Sequence, residues 1–482
     1  MDRPSWTFRD PDGVCLRTAQ GCFRFVSSDA ADRVAGLLAS STIQELIERG
    51  ALPQTRVLTR EAVAALFSNS DLGYVEALLP RGLVLEHELI EFPSFPHEWC
   101  PQMLYAAGEL TLDIQLRALQ DGLTLKDATP TNVLFRSHQP VFVDLLSFMP
   151  REPGMAVWVA YAQFVRTFLL PLMLYRKQGV PPHEVFLSRR DGLEPEEVYR
   201  RLSMLSRLTP VAMQYATLPS LLGRLRASQT VSPQQARKHQ PERAAIVARM
   251  LVKSLYSALR RVRPRERQGS VWSNYMETRS YGKGAFAAKE DFVRLALVEL
   301  APDRVLDIGC NTGHFSLIAA GLGASVVSVD YDPVVVGQVW SRSRAENARI
   351  LPLVVNLARP SPGLGWRNLE QESFLSRARG RFDAALLLAV IHHLTVTDGI
   401  PLADVLCLVA ELVTKGAVVE YVPAEDPMFQ RIVRNKEHLI PRLQRPAFEA
   451  ALAPWFDQVR TQELPGSGRV LYLLRKKGEV AV

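Results

Sequence analysis

From residue 304 onward the chain alternates short apolar runs with longer amphipathic stretches. Arg304–Ile308, Ala324–Asp330, Ile350–Val355 and Phe382–Leu388 are short, apolar and bounded by glycine or acids, as buried strands are. Between them the apolar positions recur at helical spacing, predicting helices over Phe315–Ala320, Val334–Asn347 and Pro401–Thr414, with Gly416 ending the last. Lys289–Leu300 is the helix that leads into the first strand. Strands alternating with helices predict an α/β domain with a parallel sheet. Ala417–Tyr421 is the fifth strand. Phe456–Glu463 and Val470–Arg475, joined through Pro465–Gly466–Ser467–Gly468, form an antiparallel pair that completes a Rossmann-like sheet of seven strands.

The first half is patterned differently. Leu16–Val26 reads as a strand pair about Gly21, and Ala30–Leu38, Ile43–Arg49 and Glu61–Phe67 read as helices, whereas Leu83–Phe92 alternates poorly. In the loop Pro93–Pro101, His97 and Glu98 are candidates for substrate contact or for packing beside Trp99, and a helix over Leu104–Gln120 follows. Residues 149–260 are largely helical, ending in Pro241–Leu259 with Ile246, Met250 or Leu251, Leu255 and Leu259 on one apolar face. The run Met155–Tyr175 is long and apolar, but Arg166 near its middle would be costly in lipid, so a helix docked in protein is expected and no membrane partner. The expected organisation is an α+β region over 1–150, a helical region over 151–265 continuous with it, and the α/β domain over 266–482. Five arginines crowd Arg260–Gly269 at that boundary; a solvated linker is favoured over a phosphate-backbone contact, because no aromatic platform accompanies them.

Composition narrows the picture only a little. The chain has 482 residues and a formal net charge of +7, which permits a nucleic-acid partner without asking for one. Cys15, Cys22, Cys100, Cys310 and Cys407 are scattered without a C-x-x-C pair, so neither a metal ribbon nor a disulfide framework is signalled. The polar start, without an apolar signal core, fits a cytoplasmic setting.

The chemistry concentrates where the first α/β strand ends, at Asp307–Ile308–Gly309–Cys310–Asn311–Thr312–Gly313. Glycines here let the backbone turn tightly and a ligand approach without a Cβ in the way. The next strand ends in Asp330, where an acid can accept hydrogen bonds from both hydroxyls of a ribose. The spacing is not the G-x-G-x-x-G of a dinucleotide site, since Asn311 stands where a glycine would serve the pyrophosphate. Asp332–Pro333 reads as the cap of the following helix.

Asp307-x-Gly309-x-x-x-Gly313 with Asp330 resembles the first motif and second-strand acid of the class I S-adenosylmethionine-dependent methyltransferases. The runs Leu306–Ser316, Leu351–Asn368, Ala389–Leu394 and Glu420–Gln430 resemble in particular the NoeA-like nodulation group. The resemblance implies S-adenosyl-L-methionine as cofactor, held by Asp307, Gly309, Asn311, Gly313 and Asp330, with Asn356 and Leu357 near its adenine. It implies a segment folding over the cofactor, for which Tyr275, Tyr281 and Lys283 are candidates. It places Ala389–Leu394 opposite the transferred methyl, making His392 or His393 the candidate base near neutrality. Glu420 could orient a histidine or bind an acceptor hydroxyl. Trp366, Arg367, Asn368 and Tyr421 are candidates for the acceptor wall. No Pro-Cys pair follows the fourth strand and no Asn-Pro-Pro-Tyr motif is present. That leaves oxygen on a small molecule or glycan as the preferred acceptor, with RNA methylation as an alternative.

A second stretch stands apart. Asp127, Asn132 and Asp144 resemble the catalytic loop and metal-binding acid of protein-kinase-like and aminoglycoside-phosphotransferase-like folds. Leu125 and Lys126 stand where those families have other residues, and no glycine-rich phosphate loop or strand lysine is recognisable. A kinase-like fold that has lost its chemistry, a working phosphotransferase and an unrelated turn all remain open, as does non-catalytic binding by this half.

Overall fold

A computed structural model describes residues 5–7, 9–18, 21–66, 82–226, 240–265 and 283–478. By contacts the chain divides into two units, Met1–Arg265 with Gly363–Glu372, and Glu266–Pro362 with Ser373–Val482.

In the first unit, β1 (Ser5–Thr7), β2 (Gly13–Thr18), β3 (Gly21–Val26), β4 (Thr55–Leu58) and β5 (Leu83–His87) form an antiparallel sheet in the order β1-β2-β3-β5-β4. The poor alternation of β5 has a simple cause: Val84, Leu85 and His87 are all buried, so the strand is covered on both faces. The helices Ser28–Ala39 and Ser41–Glu48 follow β3, and Pro101–Ala118 follows the buried turn Pro96–Glu98. There Glu98 accepts from the Phe95 N–H and Trp99 Nε1 donates to Ser94, which assigns this loop to packing. β6 (Leu123–Leu125) pairs with β9 (Phe148–Pro150), and β7 (Val133–Arg136) with β8 (Gln139–Phe142).

Two expectations need correction in this unit. The apolar run after Met155 becomes helical only at Tyr161, then passes through a widened turn over Val165–Leu169 and ends at Gly179. Pro171 lacks an N–H, and a widened turn ahead of it accommodates the lost bond. No described helix is long and apolar enough to cross a membrane. The helix Pro241–Arg261 buries Ala244, Ala248, Val252, Leu255 and Leu259, whereas Ile246 and Met250 are 58% and 65% exposed. The small face turns inward because this helix lies close against Pro101–Ala118, where a Cβ on Gly108 would come within 3.3 Å of Leu259.

The second unit carries β10 (Arg304–Ile308), β11 (Ser325–Asp330), β12 (Ile350–Val354), β13 (Phe382–Leu387), β14 (Val413–Tyr421), β15 (Phe456–Glu463) and β16 (Val470–Lys476) in the order β12-β11-β10-β13-β14-β16-β15. The first five are parallel; β16 and β15 run antiparallel. This is the expected α/β sheet of seven strands. The helix before β14 stops at Leu412, and Gly416 lies inside the strand instead of ending the helix. A Cβ there would meet the Leu474 carbonyl oxygen at 2.1 Å, so glycine serves the tight pairing with β16. The helix Lys283–Leu300 packs Phe292, Val293 and Ala296 onto a face formed by Val305, Leu386, Val418 and Leu473. All five parallel strands present their C-terminal ends along one edge, where open sheets of this kind bind ligands.

Candidate functional site

At that edge β10 turns into the helix His314–Gly321 through Gly309 (φ 71°), Asn311 (φ 47°) and Gly313 (φ 77°). Gly309 could be nothing else: besides its left-handed backbone, a Cβ would stand 2.3 Å from a Val390 methyl. The turn is pinned to β11, with the Gly309 N–H donating to the Val329 carbonyl at 2.8 Å and the Asn311 N–H to Asp330 Oδ2 at 3.0 Å. Asp330 Oδ1 accepts from the Asp332 N–H at 3.0 Å, and Asp332 caps its helix by accepting from Val334. Backbone donors thus aim the Asp330 carboxylate without neutralising it, and burial pushes its carboxyl up to about 6.

Asp307 lies deeper. It accepts from Ser316 Oγ at 2.5 Å, and Ser328 Oγ donates to Ser316 in turn at 2.8 Å, so it ties β10 to the following helix and to β11. Burial pushes this carboxyl to about 6 as well. Asn311 turns its own Oδ1 onto the Thr312 N–H, and Asn356 likewise accepts from Ala358, each side chain holding its own loop. Leu357 is buried beside them. Tyr275 and Tyr281 lie outside the described residues, as does the side chain of Lys283. Trp366, Arg367 and Asn368 belong to Gly363–Glu372, the segment grouped with the first unit, where Trp366 is 63% exposed and Arg367 and Asn368 have positive φ.

At the end of β13 the backbone is strained. Ala389 takes φ 58°, an unusual conformation for a residue with a Cβ. It brings Val390 against Gly309 and starts the turn that carries His392 and His393. The two rings are 4.4 Å apart and differently placed. His392 is 5% exposed and stacks on Phe429, and its Nδ1 is buried without a hydrogen-bond partner. Burial first, then His393 and Arg469, hold it well below its ordinary pKa, so it is a neutral imidazole. His393 is only partly buried and faces Asp398.

Glu420 and Tyr421 end β14. Glu420 is fully buried, with Oε2 on Lys289 Nζ at 2.6 Å and Oε1 on Arg469 Nη1 at 3.0 Å. Both oxygens are engaged by these cations, and the carboxylate's charge also favours the protonated form of His392. Arg469 continues to Asp426 at 2.8 Å, and Asp426 caps the helix Pro427–Ile432 that carries Phe429. Successive strand residues face opposite ways: Tyr421 points away from Glu420 and packs on Phe448, 5.2 Å between rings. Lys289 and Arg469 had not been singled out. Lys289 carried a signal, a lysine on the apolar helical face shared by Ala285, Phe292, Val293 and Ala296. Arg469 stands inside a glycine turn just before an apolar strand and carried none.

A family described as a methyltransferase domain matches residues 281–443. Over 476 residues the chain is 30% identical to nodulation protein NoeA of Rhizobium meliloti (strain 1021), covering 98% of this chain and 96% of that one. The chain belongs to the NoeA family. It is an S-adenosylmethionine-dependent methyltransferase, and the backbone-aimed Asp330 carboxylate at the strand edge fits that cofactor. The NoeA-family chain is also 29% identical over 133 residues to WbdD of Escherichia coli, an O-antigen chain terminator bifunctional methyltransferase/kinase, over 27% of this chain and 16% of that one. Among solved structures it resembles the N-methyltransferase NodS from Bradyrhizobium japonicum WM9, with a TM-score of 0.31 and 15% identity over 41% of this chain and 98% of that one.

The first unit of this NoeA-family protein holds a second charged centre. Arg24, on β3 and 7% exposed, donates to His87 Nε2 at 3.3 Å, Asp144 Oδ1 at 3.3 Å and the Val143 carbonyl at 3.2 Å. His87 Nδ1 then donates to Thr55 Oγ1 at 2.8 Å, and burial holds this imidazole at about 3, neutral. Lys126 is clamped by Asp10 and Asp12 from the turn between β1 and β2, and Asp12 also accepts from Arg33 at 2.7 Å. Asp127 accepts from Gln163 at 3.4 Å, and Asn132 Oδ1 accepts from Thr129 at 3.4 Å. In the same unit, Arg260 lies over Tyr256 and Arg263 over Tyr105, so these two boundary arginines are packed on rings. No cluster with metal-ligating composition occurs among the described residues.

Proposed function

We propose that this protein transfers the methyl group of S-adenosylmethionine to an oxygen of a small-molecule or glycan acceptor, with His392 as the base. The carrying observation is the buried, neutral His392 whose Nδ1 has no partner. A hydroxyl of the acceptor supplies the missing donor, and the imidazole takes its proton as the oxygen attacks. When bound, the cofactor supplies an electrophilic methyl on a sulfonium. Asp330 holds the ribose hydroxyls, and the Gly309–Gly313 turn admits the cofactor backbone-close. Lys289, Glu420, Arg469 and Asp426 act behind the site: their linked ion pairs fix the Phe429 helix and the ring on which His392 stacks. A glycan acceptor is supported by the O-antigen named for the Escherichia coli relative and by the nodulation role named for the Rhizobium one.

The test is methyl transfer from labelled S-adenosylmethionine to a panel of oligosaccharides and small hydroxylic compounds, with product linkage read by NMR. A methyl ether formed by the wild type and lost in His392→Ala supports the reading. Methylation at nitrogen, or full activity in His392→Ala, overturns it.

A further inference from the structure

Cys15 and Cys22 stand on neighbouring strands whose register sets Cys15 opposite Arg24 and Cys22 opposite Arg17. The two thiols are diagonal neighbours on the sheet face that carries Arg24. Their sulfurs are 3.5 Å apart, about 1.5 Å further than a disulfide bond needs, so closing the bond takes side-chain rotation and a small approach of the two strands. Both cysteines are partly exposed, whereas Cys100 and Cys310 are buried.

Arg24 supplies the charge. Its guanidinium is shared over contacts of 3.2–3.3 Å, and the carboxylate it pairs with among the described residues is Asp144, itself raised by burial. The charged groups that act most on the pair are Arg24, Arg17 and Asp144. The hydrogen bond from Cys22 and then Arg24 outweigh burial and bring the Cys15 thiol down to about 7, while Cys22 is raised by the same bond. The other three cysteines go the opposite way: burial pushes Cys100 up to about 12, Cys310 well above its ordinary value, and Cys407 upward. A low-pKa accessible thiol beside a second thiol is the arrangement that oxidants select.

We propose that Cys15 and Cys22 are a reactive thiol pair that a hydroperoxide oxidises to a disulfide, Cys15 attacking and Cys22 resolving. The Cys15 thiolate attacks one peroxide oxygen, the O–O bond breaks, and the departing oxygen takes a proton from water. Cys15 is now a sulfenic acid. The Cys22 sulfur attacks it, the S–S bond forms, and the hydroxyl leaves as water with the Cys22 proton. Two thiols and one hydroperoxide give one disulfide, one water and one alcohol, or a second water when hydrogen peroxide is the oxidant. The new bond staples β2 to β3 and takes the thiolate from Arg24.

The reduced full-length protein is treated with hydrogen peroxide, alkylated and mapped by mass spectrometry. The expected product links the Cys15 and Cys22 peptides with loss of two hydrogens, forming at least about tenfold faster than any change at Cys407. Cys22→Ser, with dimedone present, should trap the sulfenic acid at Cys15, and Cys15→Ser should leave Cys22 unmodified. Oxidation that begins at Cys407, or dimedone on Cys22 in the Cys15→Ser variant, overturns the proposal. The wild-type map alone decides selectivity if a serine variant fails to fold.

Discussion

The two units each gather acids at the ends of strands, and they hold them in opposite ways. In the second unit, Asp330 is gripped by the N–H groups of Asn311 and Asp332, and no ion pair reaches it among the described residues. In the first, Asp144 is paired with Arg24, and Asp10 and Asp12 with Lys126 and Arg33. A neutral donor orients a carboxylate and leaves its charge to act on a ligand. A guanidinium or ammonium cancels that charge and fills the space a ligand would take. Asp330 therefore keeps its charge for a ligand, whereas Asp144, Asp10 and Asp12 spend theirs on neighbouring cations.

The widest separation between the units should appear in turnover. His392→Ala is expected to lower kcat by ~10²–10⁴, the usual contribution of a positioned base, with cofactor affinity within about twofold of wild type. Asp127→Ala should leave methyl transfer unchanged. Single-turnover kinetics decide it: a loss in Asp127→Ala, or a loss in His393→Ala with none in His392→Ala, breaks the comparison or moves the base.

Next in size is cofactor binding. Asp330→Ala removes two charge-assisted hydrogen bonds, each about 1.5–3 kcal/mol, so calorimetric titration should show affinity falling ~10²-fold or more. Asp144→Ala should bind as tightly as wild type. Magnesium–ATP should give no heat with either protein; a signal that vanishes in Asp144→Ala would show that the first unit's acids remain open to ligand after all.

The two centres were also unequally visible beforehand. Asp307, Gly309, Gly313 and Asp330 could be read because their partners are local: a turn, a strand end and the next strand along. The support behind the site could not, since Glu420 meets Lys289 from 131 residues away and Arg469 from 49. Only a lysine on an apolar helical face hinted at it. Ile246 and Met250 misled because bulk usually marks the buried face, whereas here a close helix contact over Gly108 selects alanine.

A structural role for the first centre predicts a structural cost. Arg24→Met leaves Asp144 without its cation and His87 without its donor, and should lower unfolding free energy by about 2–3 kcal/mol. Urea unfolding checks this, and calorimetry on the same variant should find cofactor affinity unaltered. A variant as stable as wild type would mean that the Arg24 ion pair contributes nothing to holding the unit.

The mildest effect is also the one most particular to an acid held by neutral donors. The Asp330 carboxyl stands at about 6, raised mainly by burial, and the ribose hydroxyls it accepts from favour its ionised form. Cofactor affinity should therefore be complete above pH 6 and fall by up to about tenfold per unit below it. Apo stability runs the other way. With the folded value raised above the ordinary 3.8, the folded state holds more protons between about pH 4 and 6, so this acid's contribution is present at low pH and lost as pH rises through 6. Asp330→Asn separates the two. It should flatten the binding profile and melt higher than wild type at pH 8, with the gap closing toward pH 5. Asp307 also stands at about 6, but its charge is engaged by Ser316 away from the ligand, so a residual slope in the Asn variant belongs to it. A profile that stays steep in Asp330→Asn would remove Asp330 from the cofactor's ribose and hand the role to another acid of the same edge.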